Sequence, residues 1–175
     1  IIFEKFINSP LVNHFKKVII VPHEVNDSYL NYYCSVLEDN DFSFKKINQY
    51  QNFNQFEEKY IIVNKVGFLS KLYAQSTIAY VGGGFSKSGI HNIIEPAAAS
   101  NPVIFGSNFL NSNKSDAEGL IDVSGGFSVD SYELFTEKIN WLLDKNNYNN
   151  SSKNCKSFVT ENSGSTEKIL KELYE

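Results

Sequence analysis

The sequence predicts an α/β fold, a doubly wound parallel sheet of about six strands with helices on both faces. Three observations carry this. Short unbroken apolar runs such as Val18-Ile19-Ile20-Val21 and Tyr60-Ile61-Ile62-Val63 read as strands buried on both faces. Segments of helix length separate them, with apolar residues at three- and four-residue spacing. Proline, glycine or asparagine closes the runs, as Pro22 does after Val21 and Gly82 after Val81.

The elements follow in order. The first strand is Val18 to Val21. Residues 27 to 39 form a helix behind an Asn26 or Asp27 cap, with Tyr29, Leu30, Tyr33, Val36 and Leu37 along one stripe. Phe42 to Ile47 and Tyr60 to Val63 are the second and third strands, and Leu69 to Ala74 is a short helix. Ile78 to Val81 is the fourth strand and leads into three glycines. A helix from His91 to Ala99, a strand from Pro102 to Phe105, a helix near Lys114 to Ile121 and a strand from Gly126 to Val129 come next. Ser131 to Leu143 is amphipathic behind a Ser131 or Asp130 cap. The asparagine-rich stretch Asn146 to Asn150 reads as a loop, and weaker helices close the chain at 150–160 and 165–174. Strand order is not legible from the sequence. Residues 1–17 read as an interdomain segment or first helix, and 18–175 as one ligand-binding domain.

The chain has 175 residues, enough to bury a core without disulfides or metals. Its net charge of −4 argues against a nucleic-acid partner, which calls for a basic footprint. Cys34 and Cys155 are far apart, with neither zinc nor disulfide spacing, as suits a reducing compartment. No run approaches the roughly 18 apolar residues of a membrane span, and no signal peptide is visible. All 16 cationic residues are lysine, so no guanidinium fork exists to grip a phosphate. The sequence lacks methionine and starts mid-pattern at Ile1-Ile2-Phe3, which leads us to expect a piece of a longer protein.

Parallel sheets bind ligands beyond the carboxyl ends of their strands. The richest loop there is Gly82-Gly83-Gly84-Phe85-Ser86-Lys87-Ser88-Gly89-Ile90-His91-Asn92-Ile93-Ile94-Glu95-Pro96. Glycines allow close backbone approach to a ligand, and amides at a helix start attract an anion. Without arginine, backbone amides and Lys87 are the phosphate ligands available. Glu95, one turn into the helix, is placed to accept hydrogen bonds from a ribose diol. Two familiar phosphate motifs fail. Lys87 stands where a dinucleotide fingerprint needs its third glycine, and Ile90-His91 follow Gly89 where a P-loop needs lysine and a hydroxyl. A purely structural strand-to-helix turn is the bland alternative.

Val66-Gly67-Phe68-Leu69-Ser70-Lys71-Leu72-Tyr73, the glycine loop joined to His91-Asn92-x-x-Glu95-Pro96-Ala97, and Pro102-Val103-Ile104-Phe105-Gly106 together resemble 3-deoxy-D-manno-octulosonic acid (Kdo) transferases. Asn162-Ser163-Gly164-Ser165-Thr166-Glu167-Lys168-Ile169 is similar to that family's carboxyl end. The resemblance runs from about Val18 onward and implies the Rossmann-like, C-terminal, donor-binding half of a GT-B glycosyltransferase. It implies that Gly82, Gly83, Gly84, Phe85, Ser86, Lys87, Gly89, His91 and Asn92 receive the CMP phosphate of CMP-Kdo. Glu95 would hold the ribose, and Gly67, Phe68 and Leu69 would meet cytosine through backbone groups. Pro22-His23-Glu24 matches a Pro-Arg-His stretch of the family without its arginine. His23 and Glu24 are the residues left to substitute, and for Glu24 an exposed loop carboxylate is an equal reading.

The family transfers Kdo to the lipid A precursor in lipopolysaccharide synthesis at the cytoplasmic face of the bacterial inner membrane. Its general base, acceptor groove and membrane attachment belong to an N-terminal domain, so no catalytic base is assigned in this chain, nor any metal or cofactor. Asp116 and Glu118 read as a solvated helix face. Transfer by this chain alone is not expected. Two rivals stand beside this reading: a GT-B enzyme using a UDP-sugar, and a non-catalytic Rossmann-type nucleotide-binding module. The number of Kdo residues transferred, acceptor specificity and oligomeric state are not legible.

Overall fold

The computed structural model describes residues 2–85, 89–109 and 114–163. It is a Rossmann-like parallel α/β fold with the six strands expected, hydrogen-bonded in two sets of three. The chain divides into two compact units, Ile1–Lys71 and Leu72–Glu175.

In the first unit, β1 (Val18–Ile20), β2 (Phe44–Ile47) and β3 (Tyr60–Val63) pair in parallel in the order β1-β3-β2. Val18 and Phe44 both stand opposite Tyr60. The middle strand β3 is buried at all four residues, which is why its sequence is apolar without alternation. Helix α1 (Ile2–Ile7) and a 3-10 turn at Pro10–His14 precede β1. They supply Ile7 and Val12 to a core shared with Ile20, Leu30, Leu37 and Ile62. The Lys17 ammonium donates to the carbonyls of Phe56 and Glu58 at 2.6 and 2.7 Å, tying the entry of β1 to the segment before β3. Helix α2 (Asp27–Glu38) is capped by Asn26, whose side chain accepts from the Tyr29 N–H at 3.0 Å. Helix α3 (Leu69–Tyr73) follows β3 and contains the boundary between the units.

In the second unit, β4 (Ala79–Val81), β5 (Val103–Gly106) and β6 (Gly126–Val129) pair in parallel in that order. The middle strand β5 is again buried throughout. Helices α4 (Ile94–Ala98), α5 (Lys114–Asp122), α6 (Tyr132–Leu143) and α7 (Lys145–Asn162) accompany it. Ile93, Ala97, Val103, Phe105, Leu120 and Cys155 form its core. Ser131 caps α6 through the Leu134 N–H, as its position before the amphipathic stretch predicts.

Asn146 to Asn150, expected as a loop, is the first part of α7. The Asp144 carboxylate accepts from the N–H groups of Asn146 and Asn147 at 2.9 and 3.0 Å, which starts the helix early. Burial of Ser151 and Cys155 then holds it in place. Asparagine's weak helix propensity is overridden by a cap and a packed face. The helix expected at 165–174, and the family-like tail beyond Ser163, lie outside the described residues.

Candidate functional site

The glycine loop grows from the carboxyl end of β4. Gly83 and Gly84 have φ of +90° and +76°, and Gly89 has +75°, a region that side-chain-bearing residues avoid. These angles fold the loop back on itself. Gly83 and Ile90 form an antiparallel bridge, the Gly84 N–H donates to the Gly89 carbonyl at 2.6 Å, and the His91 N–H donates to the Gly82 carbonyl at 3.4 Å. The end of β5 braces the turn from beneath. The Asn108 N–H donates to the Gly84 carbonyl at 2.8 Å. A Cβ on Gly84 would stand 2.6 Å from the Gly106 carbonyl oxygen, and one on Gly106 would stand 2.5 Å from that of Gly83. Such distances leave no room for any side chain. Phe85 is exposed, and Ser86 and Lys87 lie outside the described residues.

Helix α4 begins at Ile94, three residues later than His91. The Asn92 side chain explains the difference. Its Oδ1 accepts from the N–H groups of Ile94 and Glu95 at 2.9 and 3.3 Å, so Asn92 acts as a cap ahead of the first turn. The amides of Gly84, His91, Ile94 and Glu95 therefore already have acceptors within the chain. Any phosphate contact by these four would have to displace or share such a bond. His91 and Asn92 are exposed, and the His91 ring edge lies over Gly82, 4.0 Å from where a Cβ would stand.

Glu95 is half-buried in the first turn of α4. Its charge acts on a phenol whose role the sequence reading passed over. The Tyr73 phenol is pushed up to about 12, first by burial and then by the charge of Glu95. Tyr73 was visible only as the last residue of the Val66-to-Tyr73 segment, and nothing in that pattern singles it out. Asn101 was also overlooked, although a polar residue just before the apolar run Pro102 to Phe105 is a signal. It is 1% exposed and donates through Nδ2 to the Tyr73 carbonyl at 2.8 Å.

The remaining sequence-predicted residues belong to the first unit. Pro22 is buried after β1, while His23 and Glu24 are exposed. The Glu24 carboxylate accepts from the Asn26 amide at 2.9 Å, so it is engaged with the residue that caps α2. Gly67 has φ of +100° with open space where a Cβ would be. The Phe68 side chain is buried and meets Tyr50 edge-on at 6.5 Å. Leu69 opens α3 and is half-buried. The Phe68 side chain is thus turned away from solvent. A groove of about 240 Å³ in this unit is lined by Val12, Asp41, Phe42, Lys59 and Tyr60. It lies at the amino ends of the strands, away from the end where parallel sheets bind ligands.

Glu118 pairs with Lys114 one turn away at 3.8 Å, both exposed, which is the solvated face read from the sequence. Among the described residues no cluster of three His, Cys, Asp or Glu side chains could hold a metal ion. Among them, too, no helix is long and apolar enough to cross a membrane.

Comparison with known proteins places the chain. No family model matches it. A 3-deoxy-D-manno-octulosonic acid transferase of Chlamydia trachomatis serovar D is 30% identical over 169 residues, 92% of this chain and 38% of that protein. The chain is related in sequence to Kdo transferases over most of its length. The Kdo transferase of Rickettsia bellii is 32% identical over 114 residues, 63% of this chain and 26% of that protein. A bifunctional glycosyltransferase/methyltransferase of Fusobacterium nucleatum is 32% identical over 146 residues, 83% of this chain and 22% of that protein. The chain thus spans well under half the length of these relatives. Among solved structures, the C-terminal CMP-Kdo binding domain of WaaA from Acinetobacter baumannii superimposes with a TM-score of 0.73. That match covers 90% of this chain and 81% of the other at 17% identity, and shows that the two share a fold.

Proposed function

We propose that the chain is the donor-binding part of a glycosyltransferase that moves Kdo from CMP-Kdo to a lipid A precursor. The observation that carries this reading is the 30% identity to a Kdo transferase across 92% of the chain. The site supports it chemically. A glycine turn at the end of β4 is braced on β5, and Glu95 stands on the helix that follows. Departure of CMP leaves charge on its phosphate, and Lys87 together with loop amides that exchange their bonds within the chain for the phosphate would offset it. The acceptor hydroxyl needs a general base, which this reading assigns to another part of the enzyme, together with acceptor recognition and attachment to the inner face of the bacterial inner membrane. No metal or cofactor enters the proposed transfer.

The chain has no arginine for the Pro22-His23-Glu24 position. Of the two residues left there, Glu24 carries the charge that repels a phosphate and is tied to Asn26. His23 is the better substitute on electrostatic grounds.

Calorimetric titration of the chain with CMP, UMP and ADP tests the proposal, with CMP expected to bind most tightly. Equal or absent binding of all three refutes the cytidine assignment. Preference for UMP supports a second reading, a glycosyltransferase with a UDP-sugar donor, which the similarity to the Fusobacterium protein keeps in view because its name specifies no donor. Glu95→Ala is expected to abolish CMP binding. A loss below about threefold, roughly 0.7 kcal/mol, removes Glu95 as the ribose ligand.

A further inference from the structure

The groove of about 240 Å³ in the first unit has no part in the proposed transfer. It opens where β2 and β3 begin, with the turn Pro10–His14 on one side. The side chains of Asn13, Asp41, Ser43 and Lys59 line it, and none of the four has a hydrogen-bond or ion-pair partner among the described residues. Phe42 and Tyr60, whose ring centroids lie 5.0 Å apart, supply an apolar wall. A concave surface with an apolar wall and a few convergent polar groups is how proteins hold small molecules.

Two of these residues are locally unfavourable where they stand. Lys59 is half-buried just before β3. Its carbonyl accepts from the Val18 N–H at 2.9 Å, so its side chain leaves a fixed backbone. Burial holds its ammonium below the ordinary lysine value. A cation drawn out of water without a partner calls for an anion. Asp41 has φ of +55° and closes α2. Its N–H donates to the Glu38 carbonyl at 3.0 Å, and the Phe42 N–H donates to the Leu37 carbonyl at 2.9 Å. These are the two bonds of a Schellman ending, where glycine is the usual left-handed residue. An aspartate there adds strain to the turn and a carboxylate to the groove. Two residues that each lower stability and converge on one groove fit a binding site better than a folding device.

We propose that this groove is a second ligand site, built for a small sugar acid. Lys59 takes the carboxylate of the ligand through a charge-assisted hydrogen bond. Asp41, Asn13 and Ser43 bond its hydroxyl groups, and the carbon face of the sugar lies against Phe42. A simple anion would pair Lys59 and leave Asp41 facing like charge. A neutral sugar would leave Lys59 unpaired, and an amino acid would pair both charges but leave Asn13 and Ser43 idle. The groove and the Gly67-Phe68-Leu69 segment lie at opposite ends of β3, a strand of four residues, roughly 13 Å long. The two sites share no residue, and this inference does not depend on the CMP reading.

NMR titration of the 175-residue chain tests this with D-glucuronate, D-galacturonate and Kdo, against acetate, glucose and L-alanine as controls. At least one sugar acid should shift the amides of Asn13, Asp41, Ser43 and Lys59, and should bind about tenfold or more tightly than any control. Lys59→Met keeps the length of the stem, and Asp41→Gly suits the left-handed turn. Each should weaken that sugar acid by about tenfold or more. Both variants should melt no lower than the parent and leave CMP affinity as it is, which separates this groove from the donor site. No binding by any of the three sugar acids, shifts confined to other residues, or equal binding of a control overturns the proposal. A Lys59→Met chain that binds the sugar acid as the parent does overturns it too. Should a variant melt lower, the shift map and the ranking of probes on the unsubstituted chain decide the matter.

Discussion

Replacing Gly106 by alanine puts one methyl group where the glycine loop rests on β5. The added Cβ would stand 2.5 Å from both the Gly83 carbonyl oxygen and the Gly84 carbonyl carbon. Ordinary contact begins near 3.4 Å, and both neighbours are backbone, so the loop and the strand end must part by about 0.9 Å. Overpacking of this kind costs about 1–3 kcal/mol. The same movement stretches the 2.8 Å bond from the Asn108 N–H to the Gly84 carbonyl beyond hydrogen-bonding range, at a further cost of about 1 kcal/mol. For a chain of this length the combined loss should lower the melting temperature by about 5–15 °C. Displacement of the loop should also weaken CMP binding by about tenfold or more. Circular-dichroism melting and calorimetry read the two effects. A variant that melts within about 2 °C of the parent and binds CMP equally well would refute the reasoning.

Asn92→Ala leaves the Ile94 and Glu95 amides without their cap, and should cost about 1 kcal/mol, or about 2–4 °C in melting temperature. Asn92→Asp, which keeps the accepting oxygen, should restore most of it. A third expectation concerns alkali. Tyr73 and Tyr32 are both pushed up to about 12, mainly by burial, from an ordinary value of 10.0. Between pH 10 and about 12 the unfolded chain loses these protons while the folded chain keeps them. Folded stability should therefore be undiminished by these groups below pH 10 and fall as the pH climbs through that window. Urea midpoints measured at pH 8, 9.5 and 11 should decline over the last step, and Tyr73→Phe should reduce the decline.

How far the sequence reaches can be judged from particular elements. Tyr60 to Val63 and Val103 to Phe105 announce themselves as doubly covered strands, because burial on both faces demands uninterrupted apolar residues. Asn26 and Ser131 were legible as caps because a cap bonds an amide two or three residues away. The same locality made the glycine loop legible as a tight strand-to-helix turn. It also set the limit. Asn92 reads as part of a helix that starts at His91, and only its hydrogen bonds show that it caps a helix beginning at Ile94. Asn146 to Asn150 reads as a loop until Asp144 and the burial of Cys155 make it helix.

The sequence by itself determined the strands, most of the helices and the parallel class, since each depends on spacing within one segment. Only the tertiary structure decided the order β1-β3-β2, the brace of Gly106 beneath Gly83 and Gly84, and the hydrogen bond that ties Asn101 to Tyr73. Those depend on contacts between segments about 20 or more residues apart. No local pattern encodes such contacts, because what selects them is the packing of the whole core.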